Sequence, residues 1–207
     1  MWQALHHELA EEEGLPFTVF GVMVDRHAED ARPWIEAAQT SYPVVIDTQH
    51  RVPELYNMFN VPTLVWIDED GRIARPNDVA VMNASGAKLV HVDPEAYLDR
   101  VRAWVRGDAP ALSSDERARE LVAERLPTLA EQQARAEFAL GQWLWERDRG
   151  ESATRHFEHA TELAPADIMI QRGTMRMRDL DPMGREYGSI AGAIVQRGFR
   201  LYTPIRE

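Results

Sequence analysis

The side chains able to do chemistry are few and widely spaced. Asp25 and Asp47 each close an apolar, β-favouring run, residues 17–25 and 43–47. Carboxylates at strand ends sit where α/β folds place ligands, so the two could act as an acid/base pair. Asp68 and Asp70 flank a turn, and turn chemistry accounts for both. His6 and His7 are adjacent on a helical segment, point in different directions and cannot chelate one ion together. His156 and His159 stand at i and i+3 and could face one metal, but the pattern offers no convincing third ligand, so no metal site is expected. The Met and Arg residues of 168–184 read as packing and solvated faces, and no phosphate-cradling glycine loop is present. The chain has no cysteine, which excludes disulfides, thiolate metal sites and thiol nucleophiles within it. No cofactor is implied.

The elements that must position these residues alternate between helix and strand. Residues 2–13 read as a helix with Trp2, Leu5 and Leu9 on one face, stopped by Gly14 and Pro16. Residues 17–25 form a strand apolar on both faces, as inside a parallel sheet. A helix follows over 31–40, with Pro33 in its first turn and Trp34, Ile35 and Ala38 as its buried face. Residues 43–47 are a short strand and 52–58 a short helical stretch, ending in a loop at 59–61. A hairpin runs from 63–68 through the turn 69–71, where Gly71 can take a positive φ. Residues 88–92 read as a further edge strand. Asp93 and Pro94 then open a helix in which Tyr97, Leu98, Val101, Trp104 and Val105 recur at helical spacing. This order predicts an α/β layout over 1–106. Residues 107–115, small and polar, predict a linker. Helices are expected at 116–125, 131–146 and 151–163, with a weaker pattern to about 178, so that 116–180 is all-α. Residues 181–207 carry no clear period and are expected to be an irregular tail.

Composition narrows the function classes. A net charge of −11 argues against nucleic-acid partners and anionic membrane surfaces, both of which call for a surplus of Lys and Arg. No apolar run approaches the roughly 18 residues of a membrane span. Residues 1–14 have neither the basic flank nor the apolar stretch of a signal peptide, which predicts a cytoplasmic product.

One segment carries more specific information. Residues 41–73 contain Val61-Pro62-Thr63, the apolar run Leu64 to Trp66, and then Ile67-Asp68-Glu69-Asp70-Gly71-Arg72-Ile73. This resembles the distal half of thioredoxin-like redoxins of the TlpA/ResA type, in which a strand and helix lead to a V-P-T loop, an apolar strand and I-D-x-x-G-R-I. Residues 31–38 and 54–77 look closer still to a ResA-like group whose active-site motif can carry selenocysteine. The likeness spans residues 2–105. It implies a cis Val61–Pro62 peptide, in a loop (Val61, Pro62, Thr63) whose backbone pairs with the substrate segment; the residues alone allow Pro62 simply to start a strand. It further implies a thiol–disulfide or selenol-dependent oxidoreductase, with its C-x-x-C or selenocysteine motif at the N-terminus of the first core helix. That motif, and the central strand before it, would lie upstream of Met1. The expectation is therefore an N-terminally truncated reading with no catalytic residue of its own, restarted after a UGA codon, and two apolar parallel strands left without their common partner.

Residues 134–165 resemble a tetratricopeptide repeat, with Leu140-Gly141, Leu144, Ala153, Phe157, Ala160 and Pro165 at its packing positions. Only one copy is legible, so the flanking helices must cap it. It would either hold a peptide in a groove or pack against the α/β part or a second subunit. Two rival functions stand beside the oxidoreductase: a redox-dead binding module, and a peroxiredoxin-like peroxidase fragment. A protein or peptide partner is expected at the proline loop or the helical region, and a homo-oligomer is compatible with either.

Overall fold

The computed structural model describes residues 1–25, 27–80, 87, 91–124, 126–182 and 184–206. Trp2–His6 (α1) runs into a wider π-turn over His7–Glu12, and Leu5 and Leu9 from this stretch are fully buried. Strand β1 (Gly21–Met23) pairs in parallel with β2 (Val44–Ile46), Gly21 opposite Val44 and Met23 opposite Ile46. Between them lies α2 (Ala28–Ala38). After α3 (Arg51–Leu55), β3 (Thr63–Ile67) and β4 (Ile73–Val79) form an antiparallel hairpin with register shifts around Trp66. Gly71 takes φ +77° in its turn, where a side chain would be strained. Helix α4 (Pro94–Val105) is capped by Asp93, whose carboxylate accepts from the Glu95 and Ala96 amides.

This part is mixed α/β, but among the described residues its four strands form two separate two-stranded sheets. A strand keeps its backbone satisfied only where a neighbour pairs with it, and β1 has a neighbour on one side alone. Pairing therefore covers three residues of the 17–25 run, and Phe20 is 58% exposed. The core lies between α1, the hairpin and α4. There Leu5, Leu9, Trp66, Tyr97, Leu98 and Val101 cluster, and Trp66 stacks on Trp104 with ring centroids 5.1 Å apart. Charge closes the rim: Arg102 donates to Glu8 at 2.9 Å, and Arg106 reaches Glu8 at 3.1 Å and also Glu13.

Helices α5 (Asp115–Glu124), α6 (Leu129–Trp145), α7 (Gly150–Leu163) and α8 (Ile168–Met177) follow. Thr128 opens α6 with a reciprocal capping box: its hydroxyl accepts from the Glu131 amide, and its own amide donates to the Glu131 carboxylate. The α6–α7 pair buries Ala134, Phe138, Leu144, Ala153, Phe157 and Ala160 as one cluster. Gly141 is what lets the helices approach; a Cβ there would lie 2.6 Å from two Phe157 ring carbons.

Several expectations are corrected. The helix read over 31–40 starts at Ala28, so Pro33 lies inside it; Trp34 (73% exposed) and Ala38 face outward while Ala31 is buried. Residues 107–115 are no free linker, because Ala111 and Leu112 are buried. The tail read as irregular over 181–207 contains α9 (Arg185–Gln196), anchored where Arg172 of α8 lies 4.1 Å above the Tyr187 ring. Gly188 and Gly192 had masked its helical period. Of the expected edge strand 88–92, residues 88–90 lie outside the described residues.

Candidate functional site

The loop that heads β3 is built from both halves of the chain. The Val61–Pro62 peptide is cis. Asn60, almost wholly buried, and the Ala80 amide donate to the Pro62 carbonyl at 3.4 and 3.1 Å. The Thr63 hydroxyl donates to the Asp78 carbonyl at 2.7 Å, and on the other side the Ile168 amide, opening α8, donates to the Phe59 carbonyl at 2.7 Å. Pro62 is exposed and Val61 half-buried. Among the described residues the Val61 backbone has no hydrogen-bond partner.

The strands extend this open backbone. In the β1–β2 ladder the Gly21 amide donates to Pro43 and the Met23 carbonyl accepts from Asp47, so the amide and carbonyl of Val22 between them turn away from β2. In the hairpin the Pro62 carbonyl and the Asp68 amide face β4, which turns the backbone of Val61 and Thr63 to the opposite edge. Among the described residues each sheet thus keeps an edge with no strand paired to it.

The other sequence candidates have structural roles. Asp47 accepts from the Gln49 and Val52 amides at 3.2 and 2.8 Å and so holds the start of α3. Asp25 and Asp47 both lie near His50, a residue that no motif in the sequence singles out. His50 takes a left-handed backbone (φ +55°) and sets its ring 5.4 Å from Phe138; burial pushes its pKa down, against the pull of the two carboxylates. Asp68 accepts from the Asp70 and Arg72 amides within its turn. His6 is buried between the Phe17 and Tyr42 rings, and His7 pairs with Glu11 at 2.8 Å. His156 and His159 both approach Glu137 across the α6–α7 pair, with Nδ1 2.5 and 3.3 Å from its oxygens. Those contacts hold the Glu137 carboxyl below its ordinary range.

Two further features were invisible in the sequence. A cleft between α3, α6 and α8 is lined by His50, Met58, Arg135, Phe138, Asp167 and Ile170. In it Asp167 accepts from the Ile170 amide as the cap of α8, and burial pushes its carboxyl up to about 6. The second is a buried ion pair in β4: Arg75 Nε donates to Asp78 at 3.2 Å, with both side chains at most 2% exposed. Arg75 also donates to the Ala111 carbonyl at 2.9 Å and lies over the Trp66 ring. The Arg75–Asp78 and Asp167–Ile170 contacts are themselves three residues apart, but the segments that bury them come from distant parts of the chain, and no local spacing announces that burial.

No described helix is long and apolar enough to cross a membrane. Compared with protein-family models, curated proteins and solved structures, the chain matches none.

Proposed function

We propose that residues 1–106 form a thioredoxin-like domain of the TlpA/ResA-like redoxin type. In this reading Val61, Pro62 and Thr63 present the backbone that holds an extended substrate segment, and the redox-active Cys or selenocysteine is supplied from outside these 207 residues. The observation that carries the reading is the Val61–Pro62–Thr63 backbone at the head of a strand whose outer edge is unpaired among the described residues, in a chain that pairs β1 with β2 in parallel and β3 with β4 antiparallel. One strand lying between β1 and β3 would satisfy both open edges and convert two marginal sheets into one. Each ladder hydrogen bond so formed contributes about 0.5–1.5 kcal/mol, so that strand would add to the domain's stability.

The chemistry would be thiol–disulfide exchange. A thiolate or selenolate at a helix N-terminus attacks one sulfur of a substrate disulfide, forming a mixed disulfide or a selenenyl sulfide and releasing the other sulfur as a thiolate. This chain has no group for that step, and its part is to bind and orient. The 207-residue chain should therefore show no turnover in a disulfide-reduction assay. A polypeptide extended through the in-frame codons upstream of Met1 should show turnover and a higher Tm. Turnover by the chain alone sinks the proposal, as does upstream sequence lacking a strand followed by a W-A-x-x-(U/C)-G-like stretch.

The rival reading, a redox-dead binding module, draws on the helical region. There the Ile168 amide on the Phe59 carbonyl, and the Gln142 amide group donating to the Thr48 carbonyl at 3.3 Å, pack α6 and α8 against the α/β part. Part of the surface of these helices is thereby used within the chain, which favours a packing role for them.

A further inference from the structure

The last residues of the chain return to the α/β part and end in a built groove. Ile205 is buried with Leu112 and Leu121, and its amide donates at 2.8 Å to the Asp78 carboxylate. The same carboxylate oxygen accepts the Val79 amide at 2.8 Å, while the second oxygen takes Arg75. Thr203, Pro204 and Ile205 share a cleft with Phe59 of the proline loop and with Arg117, Leu121 and Glu124 of α5. This stretch lies outside regular secondary structure. It is held like an extended peptide ligand, with one apolar anchor in a pocket and one main-chain amide on a buried, preorganised acceptor. Pro204 suits that role, because a fixed φ reduces the entropy lost on seating the segment.

We propose that the groove bounded by Phe59, α5 and Asp78 is a peptide-binding site for extended proline–aliphatic segments, occupied in this structure by the chain's own residues 203–206 as a releasable strap. Release would uncover Phe59 and, through Asp78 and Thr63, free one side of the Val61–Pro62 loop. The proposal stands on the contacts of Ile205 and Asp78, independently of the redox reading.

The test uses the full chain carrying Ile205→Asp, which removes the apolar anchor and unseats the strap. A fluorescein-labelled peptide with the sequence of residues 200–206 should bind this variant at least tenfold more tightly than it binds the wild-type chain, whose groove is filled. The same peptide with aspartate at the isoleucine position should bind neither. A folded variant that fails to bind the peptide overturns the proposal, as does equal binding to the wild type. Should the variant not fold, hydrogen exchange on the wild-type chain decides. The Ile205 amide, and the Val79 amide that shares its Asp78 oxygen, should exchange together and at least tenfold faster than the core of the α6–α7 pair. Exchange of the Ile205 amide only with that core would make the segment ordinary core and overturn the strap.

Discussion

Asp167 does two things at once: it caps α8, and it holds a carboxyl that burial pushes up to about 6. With a folded pKa above the unfolded value near 3.8, its contribution to stability is fully present below pH 3.8 and is lost as pH rises through 6. Two units correspond to a loss on the order of 3 kcal/mol. Asparagine caps helices about as well and does not ionise. Asp167→Asn should therefore raise Tm at pH 8 and leave it nearly unchanged at pH 4; a lower Tm at pH 8 would mean the buried charge is net favourable. Arg75 and Asp78 pose the opposite case, two charges buried together. Arg75→Met leaves the Asp78 carboxylate unpaired and should cost about 3–5 kcal/mol in urea unfolding. Adding Asp78→Asn should recover part of that cost, with a coupling above about 1 kcal/mol in the double-mutant cycle. Sequence reading names Asp68 for its turn, which is local, and Asp47 for its place at a strand end, where the structure gives it the Gln49 and Val52 amides instead of an acid/base partner. It does not name Asp78 or Asp167, whose nearest partners are local but whose burial is made by distant segments.

At the scale of elements, the α6–α7 pair shows what a local pattern can specify. The small residues Gly141, Ala153 and Ala160 and the large Phe157 and Leu144 were legible by spacing, and all are buried, while Pro165 is half-buried. Leu140, read in the same motif, is instead exposed because it stands on the outer face of α6. Helix propensity alone favours Gly141→Ala by about 1 kcal/mol. The Cβ would, however, overlap Phe157, and overpacking typically costs about 1–3 kcal/mol. A net loss of about 1 kcal/mol in thermal unfolding is expected, relieved by the companion change Phe157→Leu. A stabilised single variant would show that the helices can move apart at no cost. Strands behave differently. The 17–25 run has the composition of a buried central strand, yet a strand is completed by its neighbours, and three residues are all that one neighbour pairs.

For the whole molecule, the helical region and the tail converge on the same loop. The α8 N-terminus fixes Phe59, and Ile205 fixes Asp78 behind Thr63. The proline loop is thus held from two sides by residues more than 100 positions away, which is why disulfide exchange and strap release are best measured on the full chain. The sequence by itself determined the α/β order, the hairpin with Gly71, the cap at Asp93, the packing residues of the α6–α7 pair and the absence of any thiol. Each of these follows from local periodicity, turn chemistry or composition. Only the tertiary structure decided that residues 107–115 and the tail are packed, that α2 turns Trp34 outward, that Arg75 and Asp78 are buried together and that the four strands form two sheets. Burial and pairing depend on which distant segment supplies the other surface, and no window of the chain contains that information.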